Sequence, residues 1–234
     1  MKIFSLILIM FLFTSCAAVT KSKMKNDIAK RLFDLFDRTT SGVSDNQIAS
    51  VRDKRTSLPK PFHLAVYFKQ PDKKENWRWT REDRDGVLSS VEIKSVDRSF
   101  ELINTSGNEE GLENLRMMAA QQGADALLVI QGVGEVESDP NGLALTYIAL
   151  APMLFANGND VKSAFISQAV LWDVRNAYVH LGMQSEGDWS MKRPLAFRQT
   201  DRALEKAKEE SLRQLEKQLS EQLGQIKVGL VKSK

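Results

Sequence analysis

The sequence of 234 residues contains one cysteine, Cys16, and only two histidines, His63 and His180. A disulfide needs two thiols, so no disulfide can staple the fold of a single chain. A protein metal site combines several nitrogen, sulfur or carboxylate ligands, and two histidines in separate apolar segments are better interpreted as unrelated strand residues. We therefore expect no bound metal and a fold that depends on its hydrophobic core.

Signatures of catalysis and of nucleotide binding are also missing. The sequence has no G-x-S-x-G elbow for a nucleophilic serine. Residues Gln131 to Glu135 (QGVGE) lack the third glycine of a nucleotide-binding loop, so they predict a twisted or bulged strand instead. The formal net charge is only +3, without a basic block, which argues against nucleic acid as a partner. We expect neither an enzymatic activity nor a cofactor.

The N-terminus has the pattern of an export signal. Lys2 precedes an apolar run from Ile3 to Phe13, whose eleven residues are too few to cross a bilayer as a helix. Small polar Thr14 and Ser15 follow, directly before Cys16. The pattern predicts that residues 1–15 are a signal peptide and that Cys16 is the first residue of the mature chain.

Residues 13–16 resemble the lipobox of bacterial lipoproteins, with Phe13 at the position where that motif usually carries leucine. The resemblance implies that Cys16 is acylated, with palmitate among the chains, and anchors the protein in a membrane. Ala17 follows instead of aspartate, which in enterobacterial lipoproteins favours the outer membrane. We expect the periplasmic face of the outer membrane, with residues 16–26 as a tether.

Apolar periodicity divides the rest of the chain. Residues 27–50 predict a short amphipathic helix, Asp27 to Asp37, and a linker; residues 51–234 predict an α/β (α+β) domain with a single mixed sheet, flanking helices and a long C-terminal amphipathic helix. The predicted strands are 62–68, 99–103, 126–130, 161–174 and 178–183, and the predicted helices are 81–97, 110–122 before Gly123, and 194–226.

The most hydrophobic stretch after the signal is Leu143 to Ala156, between the turn signals Asp139–Gly142 and Asn157–Asp160. One interpretation is a buried element of the domain. The other is a hydrophobic hairpin that meets the membrane or a second subunit.

Trp77 and Trp79 are candidate contacts for a ligand or partner, because positions i and i+2 share one side of an extended segment. Two indole rings there would stack on a sugar, a peptide or a lipid headgroup. The alternative is that both rings cap the core of the sheet. Nearby acids, Glu82, Asp83 and Asp85, are compatible with acid–base catalysis but more simply interpreted as a solvated helix start.

Two internal segments resemble known families. Ala119 to Val129 (AAQQGADALLV) is similar to a segment of envelope lipoproteins related to the curli secretion channel and to peptidoglycan-synthase activators. Together with Leu171 to Val179 (LWDVRNAYV) and the turn Asn157 to Val161, it resembles the rhombotarget-type lipoprotein family, although Asn176-Ala177 stands where that family tends to Thr-Gly. The resemblance implies a small α/β envelope domain and no particular reaction.

These observations lead to one main hypothesis, a lipid-anchored, non-enzymatic binding or assembly module of the periplasm. Its partner would be another envelope protein or a second copy, contacted through the α/β face or the C-terminal helix. An oligomeric pore or secretion accessory is the alternative, with residues 143–156 as the membrane contact. A third hypothesis is an enzyme that acts on envelope glycan or peptide near Trp77 and Trp79.

Overall fold

The computed structural model describes residues 57–59, 61–103, 111–140, 159–193 and 200–226. Cys16, the predicted helix 27–37 and the segment 143–156 lie outside these ranges. The described elements are β1 (Phe62–Phe68), α1 (Arg81–Ser90), β2 (Val96–Glu101), α2 (Leu112–Gln121), β3 (Ala126–Pro140), β4 (Asn159–Asp173), β5 (Val179–Arg193) and α3 (Thr200–Gln225).

The five strands form one mixed sheet in the order β2-β1-β3-β4-β5. β1 runs parallel to both β2 and β3, whereas β3, β4 and β5 pair in antiparallel succession. The parallel pairs need helical crossovers, and α1 and α2 provide them. The predicted fold class, α/β with a single mixed sheet and a long C-terminal helix, is confirmed.

Alternate side chains of each strand point to opposite faces of the sheet, so the sheet has two cores. The larger core lies between the sheet and the helices α1 and α3; it includes Leu64, Val66, Leu128, Ile130, Phe165, Val87, Leu212, Leu215 and Leu219. The smaller core lies under α2 and includes Ala65, Tyr67, Leu102, Leu115, Ala119 and Leu127. The described helices do not include one that is long and apolar enough to cross a bilayer.

Two predicted turns have the expected geometry. Gly123 ends α2 with φ of +79°, a left-handed conformation that favours glycine. Ala177 has φ of 59° in the β4–β5 turn, where the Asn176 side chain accepts a hydrogen bond of 2.9 Å from the Tyr178 N–H. The predicted hairpin at Asn176-Ala177 is confirmed.

The predicted helix 81–97 is too long, because α1 ends at Ser90. Val91 and Ile93 belong to tight turns that follow the helix, where Ile93 N–H donates to Val91 O and Val96 N–H to Ile93 O. Their side chains still pack on the larger core. Apolar turn residues that face the core therefore have a spacing that resembles that of a helix, which is why the predicted helix was too long.

The predicted ends of two strands are also wrong. β3 continues ten residues beyond Ile130, which confirms the prediction that residues 131–135 form a strand instead of a nucleotide-binding loop. The strand pairs with β4 without a register shift, so of the two predicted forms, twisted or bulged, the bulge is not present. A Cβ on Gly132 or Gly134 would lie 2.6 Å or 2.8 Å from the ring of Phe165, so these glycines make room for that ring. β5 extends to Arg193 instead of ending at Met183.

Candidate functional site

Trp77 and Trp79 lie in the larger core, with 3% and 5% of their surface exposed. Their rings meet edge to face at 4.9 Å, and Trp77 meets Phe165 in the same way at 4.8 Å. The Trp79 Nε1–H donates to Lys69 O at 2.8 Å. This geometry agrees with the interpretation that the tryptophans cap the core. Contact with a ligand stays a prediction, and the structure offers little exposed ring surface for it.

The acids at the start of α1 have structural partners. The Asp83 carboxylate accepts from the Thr80 N–H at 2.8 Å, while the Thr80 hydroxyl accepts from the Asp83 N–H, which completes a capping box. The same carboxylate lies 2.7 Å from Lys208 Nζ. Glu82 and Asp85 are exposed on the first turns of the helix. Asp83 is therefore committed to holding α1 and α3.

The two histidines are separated by the strands β3 and β4. His63 Nδ1 lies 3.1 Å from Gly123 O, and its Nε2 lies 3.1 Å from an Asp97 carboxylate oxygen. The Gly123 carbonyl and then the Asp97 carboxylate raise the pKa of His63. Burial lowers the pKa of His180, which lies 3.6 Å from Asp173. The described residues contain no group of three side chains suited to hold a metal ion.

Asp173 and Arg175 close the β4–β5 turn. The Asp173 side chain is fully buried and accepts from the Arg175 side chain at 2.8 Å and 3.1 Å. Burial alone would raise the pKa of Asp173, but the hydrogen bonds and charge of Arg175 outweigh it and hold that pKa below its usual range. The role of the pair in this arrangement is therefore structural, to stabilise the β4–β5 turn.

A groove of about 610 Å³ runs between β5 and α3, and we call it the β5–α3 groove. Its floor includes Trp189, which is 43% exposed and is one of four large exposed apolar side chains among the described residues. The groove is lined by Glu186, Asp188, Trp189, Lys206, Glu209, Glu210, Arg213 and Gln214.

Small residues allow α3 to pack closely against the sheet beside this groove. A Cβ on Gly187 would overlap the carbonyl oxygen of Ala207, so only glycine lets the helix approach this closely. The Ser211 hydroxyl accepts from the Ser167 N–H at 3.1 Å, and the Ser185 hydroxyl donates to Ser211 O at 2.8 Å. The helix is therefore held on β4 and β5 by backbone contact and buried hydroxyls.

A buried lysine fixes the same helix against α1. The Lys208 side chain is fully buried, and its Nζ lies 2.7 Å from Asp83 and 2.8 Å from Glu205. It also donates to Arg78 O at 2.8 Å. Two carboxylates and a carbonyl thus compensate for the desolvation of the ammonium group.

The helical wall of the groove carries both signs of charge. Lys206 pairs with Glu209, and Arg213 pairs with Glu210 at 2.8 Å. Hydrogen bonds from Gln214 and then Arg213 lower the pKa of Glu210. These pairs are solvated, so they are individually weak and can exchange partners. A wall of this kind suits a partner that brings an apolar group and charges of its own.

Sequence reasoning missed this groove because β5 was predicted to end at Met183. The residues after it, including Gly187 and Asp188, have turn-forming composition. The available signal was their alternation, with Met183, Ser185 and Gly187 buried and Gln184 and Glu186 exposed. That period of two is typical of a strand with one covered face.

No family model matches the sequence, and no curated protein matches it. Three solved structures show what the chain is similar to. They are a minor lipoprotein from Acinetobacter baumannii (10% identity, 73% of this chain and 98% of that chain, TM-score 0.35), the lipoprotein GNA1162 from Neisseria meningitidis (13%, 70% and 99%, TM-score 0.32) and a PelC dodecamer from Paraburkholderia phytofirmans (11%, 74% and 92%, TM-score 0.33). At these identities and TM-scores the likeness assigns neither a family nor a function.

Proposed function

We propose that this protein is a lipid-anchored, non-enzymatic assembly module of the bacterial envelope that binds a protein partner through the β5–α3 groove. The observation that carries the binding role is the exposure of Trp189 in a groove with walls of mixed charge. Cys16, which follows an apolar run at the N-terminus, supports the anchor.

Trp189 has the character of an interface anchor. Tryptophan is enriched among the residues that dominate protein–protein binding, because it buries a large area with few rotatable bonds. Its neighbours along the groove, Lys206, Glu209, Glu210 and Arg213, form a charged border around the apolar ring. An apolar centre with a polar rim is the usual anatomy of a non-obligate interface.

The anchor is tested by changing Cys16 to serine in the full chain. We expect the variant to leave the membrane fraction or to keep its signal peptide, since serine cannot form the thioether. Normal processing together with unchanged membrane attachment would refute the lipid anchor. Radiolabelled palmitate, incorporated by the parent chain and not by the variant, provides a second readout.

The binding role is tested by site-specific photo-crosslinking in intact cells. A photoreactive amino acid in place of Trp189 should give one recurrent protein adduct of defined mass. The matched control is Met117, which is 62% exposed on α2 and lies outside the groove. Equal adducts at both positions, or none at position 189, would remove the groove as a binding site.

The finer parts of the proposal are the periplasmic face of the outer membrane and membership of the rhombotarget-type family. Ala17 supports the first, and the segments 119–129 and 171–179 support the second. The pore hypothesis depends on residues 143–156, which lie outside the described ranges. The enzyme hypothesis depends on nearby acids, and one of them, Asp83, already forms an ion pair with Lys208. We therefore favour the assembly module over both.

A further inference from the structure

His180, near the start of β5, is a buried histidine that the proposed function does not use. Its side chain is only 7% exposed. The ring nitrogen Nε2 is buried and makes no hydrogen bond within the part of the chain that the structure describes. A carboxylate oxygen of Asp173, Oδ2, lies 3.6 Å from it, which is too far for a hydrogen bond. A buried polar atom without a partner costs stability, so this arrangement calls for an explanation.

The same oxygen of Asp173 already has a cationic partner. Arg175 Nη2 donates to Asp173 Oδ2 at 2.8 Å, while Arg175 Nε and its backbone N–H donate to Oδ1 at 3.1 Å and 2.8 Å. Arg175 Nη2 also donates to Ser57 O at 3.5 Å, directly before Leu58, which is fully buried in the larger core. Arg175 thus connects the β4–β5 turn to the chain that leads into β1, and it does so through the oxygen that His180 faces.

We propose that these side chains form a proton-operated switch, in which protonated His180 replaces the Arg175 guanidinium at Asp173 Oδ2. The displaced guanidinium then leaves the Ser57 carbonyl and turns into water. The proton comes from the solvent and returns to it when the pH rises. The switch depends on neither the groove nor the lipid anchor, so it stands or falls separately from the proposed function.

The electrostatics of the cluster set the two states of the switch. Burial is the largest influence on the pKa of His180 and lowers it below 6.5; Asp173 raises that pKa and Arg175 lowers it, each with a smaller effect. The ring is therefore neutral near neutral pH. Burial would raise the pKa of Asp173, but Arg175 outweighs it and holds that pKa below its usual range. A carboxylate is therefore in place to receive the ring when it becomes protonated.

The difference in exposure decides which of the two cations gives way. Protonated His180 and Arg175 repel each other when both meet one oxygen. The Arg175 side chain is 54% exposed and can return its guanidinium to water, whereas the buried ring of His180 cannot. The Arg175 backbone N–H still holds Asp173 Oδ1, so the carboxylate keeps its place. A small rotation of the imidazole then shortens 3.6 Å to a charge-assisted hydrogen bond of about 2.8 Å.

The other charged or titratable groups described around the cluster are Tyr178, Asp125 and Arg116. The Tyr178 ring meets the His180 ring edge to face at 5.0 Å. Asp125 directly precedes β3, and its negative charge acts on Arg175. Arg116, on α2, donates to a backbone carbonyl of the β4–β5 turn at 2.7 Å. Arg116 therefore has the same charge and the same surroundings as Arg175 without its place on the buried carboxylate, which makes it a matched control.

Nuclear magnetic resonance of the full lipidated chain in detergent micelles tests the switch. The sequence has two histidines, so isotope-labelled histidine gives two ring signals, which His63→Gln assigns. We expect the His180 signal to titrate with a midpoint below pH 6.5. The side-chain Nε–H signal of Arg175 should change from ordered to mobile with the same midpoint. The carbonyl carbon signal of Ser57 should shift with it.

Variants separate the exchange of partners from a simple titration. In His180→Gln, which cannot take up the proton, Arg175 should stay ordered through the midpoint of the parent chain. Arg175→Gln should raise the His180 midpoint by about 1 pH unit, because it removes the competing cation. Arg175→Lys should raise it by less, and it keeps a counter-charge for Asp173 if Arg175→Gln does not fold. Arg116→Gln should leave the midpoint unchanged.

Four results would overturn the switch. Arg175 that stays ordered while His180 titrates would mean that the ring takes up its proton without displacing the guanidinium. Release of Arg175 at the same pH in His180→Gln would assign the change to another group. Equal midpoints in the Arg175 and Arg116 variants would mean that the two cations do not compete for one oxygen. Unfolding before His180 titrates, seen by circular dichroism, would mean that the folded chain has no protonated state.

Discussion

The two sides of α3 carry polar residues for different purposes. The side that faces the sheet and α1 buries Lys208 and Ser211, each with fixed partners at 2.7–3.1 Å. The groove side carries Lys206, Glu210 and Arg213 in solvated pairs. Removing one member of a buried polar set leaves its partners desolvated, whereas a solvated pair is replaced by water. The inner side should therefore determine stability and the groove side should determine binding.

The largest expected effect tests the inner side at Lys208. Changing Lys208 to methionine leaves the Asp83 carboxylate without its buried counter-ion, which should lower the free energy of unfolding by about 3–5 kcal/mol. The groove-side control, Lys206→Met, should lower it by less than about 1 kcal/mol. Urea denaturation measures both values.

A second variant shows whether the loss comes from the unpaired charge. Adding Asp83→Asn to Lys208→Met removes the uncompensated carboxylate, so part of the lost stability should return. If Lys208→Met and Lys206→Met are equally destabilising, the proposed difference between the two sides of α3 does not hold.

The next prediction concerns the close approach of α3 to β5. Gly187→Ala places a methyl group on the carbonyl oxygen of Ala207 and must displace the helix, which should lower the unfolding free energy by about 1–3 kcal/mol. Gly182→Ala on the same strand meets nothing within 4 Å and should stay within about 0.5 kcal/mol of the parent. Thermal and urea denaturation of the pair check the difference; a tolerated Gly187→Ala would mean that α3 is not held this closely.

A smaller effect is expected at Ser211. Ser211→Ala removes the hydroxyl that accepts from the Ser167 N–H and that lies 2.7 Å from the Ser167 hydroxyl. Both serines are fully buried. The expected cost is about 1–2 kcal/mol, since a buried donor is left without that partner. Ser220→Ala, on the exposed side of the same helix, is the control and should cost almost nothing. Similar losses of unfolding free energy for the two serine variants would contradict the proposed difference between the two sides of α3.

The sequence predicted the apolar elements better than the polar ones. β1 was predicted at its observed bounds because a short run between prolines that is apolar except for His63 has one good interpretation. β5 was predicted to end at Met183, and β3 was predicted as a regular strand only to Ile130, because glycine, serine and acidic residues follow. In the structure those glycines make room for Phe165 and for α3.

The groove was missed for the same physical reason. Local composition cannot show that Gly187 faces the backbone of a helix some twenty residues later in the chain, since that contact is made only in the folded state. Trp77 and Trp79 were the visible candidates, but their separation of two residues also suits a strand-like segment packed inward. Trp189 becomes a candidate only once the length of β5 is known.

The smallest expected effect is a difference between the two histidines in how stability depends on pH, because one is exposed and the other is buried. His63 is 44% exposed, and both of its ring nitrogens face acceptors, Gly123 O and Asp97, which only the protonated ring satisfies. Its pKa in the folded state is raised above 6.5. The stability it contributes is therefore complete below 6.5 and is lost as pH rises through the folded pKa.

His180 should show the opposite sign. Burial lowers its pKa in the folded state below 6.5, so its contribution is present above 6.5 and is lost as pH falls toward the folded pKa. Urea midpoints between about pH 5 and 8.5 should fall less at high pH in His63→Gln, and less at low pH in His180→Gln, than in the parent. Asp97→Asn should change the profile in the same direction as His63→Gln but by less, because it removes the carboxylate and leaves the Gly123 carbonyl, the larger cause of the raised pKa of His63. Parallel profiles for the two histidine variants would mean that exposure does not separate their roles.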